Sequence, residues 1–182
     1  MEYDGEYLYN IKWNGKGYDQ NGNIIYELIN GNGKVKEYDK YGRLIFEGEY
    51  LNGKKNGKAK EYEYSHVDWE IRFEGEYLNG KRNGKAKEYF NGKLKFEGEY
   101  LNGERNGKGK EYDDNGGLDF DGEYLKGNRW NGNGKEYEYG NNLEFEGEYL
   151  NGKRWNGIKY YYERGERIWE DRYFEGILTE EI

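Results

Sequence analysis

The chain has 182 residues with Gly 30, Tyr 22, Pro 0 and Cys 0, which excludes disulfides, thiol catalysis and Cys-based zinc sites. A net charge of -8 argues against general nucleic-acid binding. Only 34% of the residues are hydrophobic, yet 19% are aromatic, and that aromatic content argues against disorder because rings bury the most area per residue.

In chain order, one pattern starts at Tyr3 and returns at Tyr26, Phe46, Phe73, Phe96, Phe120 and Phe145, with a truncated copy at Phe174. A full copy reads Phe73-Glu74-Gly75-Glu76-Tyr77-Leu78-Asn79-Gly80-Lys81-Arg82-Asn83-Gly84-Lys85. The repeat occupies residues 1–182 as one domain, with no room for a linker. Each unit predicts two strands. Phe-Glu-Gly-Glu-Tyr-Leu alternates with period two, Asn-Gly is the strongest short hairpin signal, and Gly-Lys-Ala/Gly-Lys-Glu-Tyr returns. A second turn, as at Asn91-Gly92 and Asn115-Gly116, leads to the next unit. The expected fold is all-β: tandem antiparallel β-hairpins in a single-layer sheet, drawn out as an elongated twisted ribbon. Glu180 and Glu181 are read as an acidic tail protecting the last edge.

Parity assigns the faces. Phe46, Gly48 and Tyr50 share one side with Gly57 and Ala59; Glu47 and Glu49 share the other with Lys58 and Lys60. Rings thus lie over small residues, and opposite charges meet across the hairpin. A bulge near Glu61 and Tyr62 would break this parity.

The succession Tyr/Phe-Glu-Gly-Glu-Tyr, Asn-Gly-Lys, Asn-Gly-Lys-Gly resembles MORN repeats, with Tyr50, Tyr77, Tyr100, Tyr124 and Tyr149 at the usual aromatic position. Gly107 to Gly116 looks like the variant found in bacterial antitoxin-like repeat proteins. The resemblance implies a β-hairpin solenoid used as a scaffold, a partner-binding surface or a membrane-associated module. Cell-wall choline-binding repeats are similar in length and aromatics, but their paired Trp-Tyr-Tyr core is missing from most units here.

Two groups of residues are candidate contacts beside the tyrosines. Lys54, Lys55, Lys81, Arg82, Arg105, Arg129, Lys153 and Arg154 sit at the hairpin tips, where stacking would align them as a basic ridge for anionic headgroups or an acidic partner. The plainer reading is solvated turns. Trp13, Trp130 and Trp155 are single insertions before Asn-Gly, placed as interface anchors or folded back on a neighbouring ring.

Catalysis is not expected. Ser65 and His66 are adjacent, and neighbours on a strand point to opposite faces. Asp113, Asp114, Asp119 and Asp121 lack calcium-loop spacing and read as a solvated loop. Carboxylate pairs such as Glu97 and Glu99 have lysines across the hairpin that would hold them ionised, unlike a general acid. The expectation is therefore a non-catalytic cytoplasmic scaffold with no cofactor or metal, binding a protein or peptide along its aromatic face. An anionic membrane surface engaged by the basic tips is the alternative, followed by an antitoxin-like regulatory partner or self-assembly through the sheet edges.

Overall fold

The computed structural model of the chain describes residues 2–65, 68–138 and 142–179. These form strands and turns with no helix. The strands are β1 (Glu2–Leu8), β2 (Ile11–Tyr18), β3 (Ile24–Leu28), β4 (Gly33–Tyr38), β5 (Leu44–Leu51), β6 (Lys54–Tyr64), β7 (Trp69–Leu78) and β8 (Lys81–Phe90). They continue as β9 (Lys93–Leu101), β10 (Glu104–Tyr112), β11 (Leu118–Leu125), β12 (Asn128–Glu138), β13 (Asn142–Leu150), β14 (Lys153–Glu163), β15 (Glu166–Phe174) and β16 (Ile177–Thr179). A 3-stranded sheet has the order β1-β2-β3, and a 13-stranded antiparallel sheet runs in sequence order from β4 to β16 without closing. Every connection is local, as a chain of consecutive hairpins requires.

The turns explain the Asn-Gly pairs. Asn52 (φ 51°) and Gly53 (φ 73°) adopt the paired positive φ of a two-residue hairpin turn, so Leu51 faces Lys54. Lys126 (φ 50°) and Glu175 (φ 49°) hold the Asn position in two later turns, at a steric cost that Asn avoids. The parity assignment holds through the next pairs: Gly48 faces Ala59 and Glu47 faces Lys60. Between them lies a bulge in which residues 56–58 stand opposite Glu49 alone. Where Trp130 is inserted the bulge shrinks to that one residue, since Glu123 faces Asn131 and Tyr124 faces Arg129. In consequence Phe46 faces Glu61, whereas Phe120 faces Gly134, two residues earlier in the repeat.

The chain divides into two compact units, residues 1–94 with 100–104, and residues 95–99 with 105–182. In the first, Phe46 and Phe73 are fully buried. Phe46 meets Tyr50 and Tyr77 edge to face at 6.1 Å, and Phe73 meets Tyr77 at 5.7 Å and Tyr100 at 5.8 Å. The second repeats the zigzag: Phe96 meets Tyr124 at 5.2 Å, Phe120 meets Tyr124 and Tyr149, and Phe145 meets Tyr149 and Tyr173. Such edge contacts suit the ring quadrupoles. The rings fit because small residues lie beneath them; a Cβ on Gly75 would come within 2.4 Å of the Ala86 Cβ. A separate cluster of Tyr26, Leu28 and Val35 closes the first unit where β3 and β4 make no ladder beyond the Ile29–Asn32 bridge.

Phe174, read from the sequence as the first residue of a closing unit, lies directly before the β15–β16 turn and faces Ile177, the place Leu51 holds in its own hairpin. Glu180 and Glu181 lie outside the described residues.

Candidate functional site

The two-residue turn settles the fate of the basic tips. Because Leu51 faces Lys54, Tyr50 faces Lys55, and the two adjacent cations point to opposite sides of the sheet. The ridge expected from the sequence is thereby divided. Lys54, Lys81 and Lys153 are exposed and make no ion pair among the described residues. Lys55, Arg82, Arg105, Arg129 and Arg154 instead turn onto the aromatic side. Each covers a buried Phe: Lys55 lies 3.7 Å from the Phe46 ring centre, Arg82 3.9 Å from Phe73, and Arg105 4.1 Å from Phe96. Arg129 over Phe120 and Arg154 over Phe145 stand at 4.9 Å.

At Lys55, Arg82 and Arg154 a glutamate from the preceding hairpin joins the cation to a tyrosine. Tyr50 donates to Glu37, beside Lys55; Tyr77 donates to Glu61, which also receives Arg82. Glu111 receives the Arg129 Nε at 2.8 Å, and Glu136 receives both Tyr149 and Arg154. These glutamates are the middle residue of the Lys-Glu-Tyr motif of each second strand and share the aromatic side by parity, as Glu61 does with Ala59; the sequence reading placed a bulge at Glu61 and Tyr62, which the pairing with the next hairpin shows, but gave these glutamates no role. Burial alone would raise the Glu61 carboxyl, but hydrogen bonds from Tyr77 and Arg82 override it and hold the group below the usual range. Glu136 is lowered in the same way, against its burial, by Arg154 and Tyr149. Burial, then the carboxylate partner, pushes the Tyr50, Tyr77 and Tyr149 hydroxyls far up.

The tyrosine positions are therefore interior ones. Tyr77, Tyr100, Tyr124 and Tyr149 are buried and Tyr50 is half-buried. Their own rings and the overlying cations fill the trough expected between tyrosine rows. On the opposite side Tyr62, Tyr112 and Tyr160 donate to Glu47, Glu97 and Glu146, each at 2.7 Å. The bond to Glu97, then burial, pushes the Tyr112 hydroxyl up to about 12.

Successive tips are fastened to one another. The Gly80 N–H donates to the Lys55 carbonyl, and the Gly103 N–H to that of Arg82, both at 2.8 Å. The same bond joins Gly127 to Arg105 at 2.9 Å, and Gly152 to Trp130 at 2.8 Å. Beside each, the side-chain oxygen of the second Asn-Gly pair accepts the first turn amide of the next hairpin: Asn131 from Asn151 at 2.9 Å, Asn156 from Glu175 at 3.0 Å. That second Asn-Gly is thus a latch and not a turn.

Trp13, Trp130 and Trp155 are half-buried. Trp130 lies against Gly152 and Trp155 against Gly176, both turn glycines of the following hairpin, and Trp13 against Gly31. They fold back, onto glycine where a ring had been the expected neighbour.

Asp113 organises its loop by accepting the Asn115 and Gly117 amides at 2.7 Å, and those bonds hold its carboxyl low. Burial, reinforced by the Asp113 charge, raises Asp119. The Ser65 hydroxyl donates to the Asp68 carbonyl at 3.2 Å, and His66 lies outside the described residues.

One surface feature was missed. The residue before every tip turn is apolar and exposed: Leu8, Ile29, Leu51, Leu78, Leu101, Leu125, Leu150 and Phe174, from 37% at Leu150 to 65% at Phe174. The signal was present, since the repeat always ends its first strand on such a residue.

The MORN repeat pattern matches residues 46–62, 73–93 and 96–118. No curated protein matches the chain. The matched stretches are the hairpins whose Phe, Tyr, Gly and Asn have just been placed, so the chain carries MORN repeats across residues 46–118.

Proposed function

We propose that this protein is a non-catalytic cytoplasmic scaffold that binds a partner protein through its hairpin array. The observation that carries this reading is the fastening of one tip to the next, which holds the recurring exposed apolar tip residues at a fixed pitch, as a multi-point docking surface requires. MORN repeats generally serve as non-catalytic binding modules, which supports the same reading. Affinity capture with the full chain from its source cells, followed by reconstitution from purified components, tests it. A stoichiometric protein complex is the expected result, and a chain that recovers no protein overturns the reading.

A second reading rests on Lys54, Lys81 and Lys153, which are exposed without ion pairs and suit an anionic membrane surface. It predicts salt-sensitive sedimentation with phosphatidylserine vesicles, lost when the three lysines become Glu.

A further inference from the structure

The tips of the first compact unit bring three leucines into one series. Leu51, Leu78 and Leu101 are each about half exposed. All precede the same two-residue turn, so all point to the side that carries Glu47 and Lys60. The series is rigid, because Gly80 is bound to the Lys55 carbonyl and Gly103 to that of Arg82. Neighbouring tips stand two strands apart, about 9.6 Å. Seven residues of an α-helix rise about 10.5 Å. A helix crossing the strands along the tips would therefore set one residue of each heptad on each leucine.

Charge selects which helix. Lys54 faces Leu51 and Lys81 faces Leu78. On that side, Glu49 and Glu76, two residues before the first two leucines, are turned onto the bulge glycines Gly57 and Gly84. At the third tip Glu104 takes the place of the lysine. The order along the series is basic, basic, acidic. A second copy docked antiparallel would pair Lys54 with Glu104 but set Lys81 against Lys81, whereas a helix acidic beside the first two tips and basic beside the third meets complementary charge at all three.

We propose that Leu51, Leu78 and Leu101 dock an amphipathic α-helix of a partner protein, with one aliphatic residue per heptad, acidic residues beside the first two and a basic residue beside the third. The proposal rests on the scaffold reading and names its surface and partner class.

The probe is a synthetic three-heptad peptide of that design, followed by fluorescence anisotropy against the full chain. A control peptide carries the same heptads with the leucines replaced by Gln. The designed peptide is expected to bind at micromolar concentration and the control at least tenfold more weakly. Leu78→Ser and the pair Lys54→Glu with Lys81→Glu should each weaken binding tenfold or more. Melting temperature should move by no more than about 2 °C, since all three positions are exposed. Equal binding of both peptides, no binding, or undiminished binding by Leu78→Ser overturns the proposal. So does a chain that ignores the peptide but loses phosphatidylserine-vesicle binding on the same substitutions. If the chain with Leu51, Leu78 and Leu101 all changed to Ser captures the same partner as the unmodified chain, the tip surface is wrong and the scaffold reading stands. If the unmodified chain captures no protein, the scaffold reading itself fails.

Discussion

Arg82 stands over the Phe73 ring, its guanidinium carbon 3.9 Å from the ring centre, while its nitrogens reach Glu61 and Glu88. One side chain thus covers the core and bridges two carboxylates. Arg82→Ala should cost about 2–3 kcal/mol, because it strips the ring and takes the guanidinium away from both carboxylates. Arg82→Lys keeps the charge but not the fork and should recover part of the loss. Urea denaturation of the two variants measures this, and an unshifted midpoint for Arg82→Ala would refute the role given to the residue.

The lowered Glu61 and Glu136 carboxyls fix an acid response. Their folded-state pKa lies below the unfolded one, so the unfolded chain binds protons first. The stability they contribute is complete above the ordinary carboxyl range and falls as pH drops through that range toward the folded values. Denaturation midpoints measured from pH 7 down to 3 should decline on the acid side. Glu61→Gln should lower the midpoint at pH 7 and flatten that decline. A variant whose acid limb parallels the parent would show that Glu61 is not one of the titrating groups.

Gly75 and Ala86 face each other with no room to spare. A Cβ on Gly75 would lie 2.4 Å from that of Ala86, so Gly75→Ala should destabilise by about 1–3 kcal/mol. Adding Ala86→Gly removes that contact but leaves the Ala86 Cα and Phe73 Cζ at 2.9 Å, so it should restore part of the loss, a coupling that a double-mutant cycle reads directly. Additive effects would contradict the steric account.

Asn156 makes two bonds at once, donating to Glu148 at 2.7 Å and accepting the Glu175 amide at 3.0 Å. Asn156→Ala should cost about 1 kcal/mol and speed hydrogen exchange at the Glu175 amide. Asn156→Asp keeps the acceptor and should leave that amide protected.

Much of the fold was legible because the repeat states it many times. The Phe-x-Gly-x-Tyr alternation gave the strands, the Asn-Gly pairs marked the turns, and parity put Glu47 on one face with Lys58 and Lys60; the bulge is what sets it opposite Lys60. What escaped lies where one residue changes direction. Alternation says that Lys54 and Lys55 diverge, but not that Lys55 and Arg82 lie flat over Phe46 and Phe73. The bulge opposite Glu49 shifts the pairing within the hairpin by two residues, and the regular ladder to the next hairpin then sets Glu61 within reach of Tyr77. A linear pattern cannot separate the turn Asn52-Gly53 from the latch Asn56-Gly57, which share two letters and differ in their partners. The tyrosines were read correctly as one face, but the sequence did not show that the cations would cover them.

The bond from each turn glycine to the hairpin before it makes the joint between neighbours generic. Lys55, Arg82, Arg105, Trp130 and Trp155 all offer the same main-chain acceptor, whatever their side chains. A duplicated segment brings its own donor and its own acceptor, so the number of hairpins can change by whole steps without a new joint having to evolve. The number of joints in such a chain follows the number of copied segments, while the residues at the tips are free to diverge one at a time.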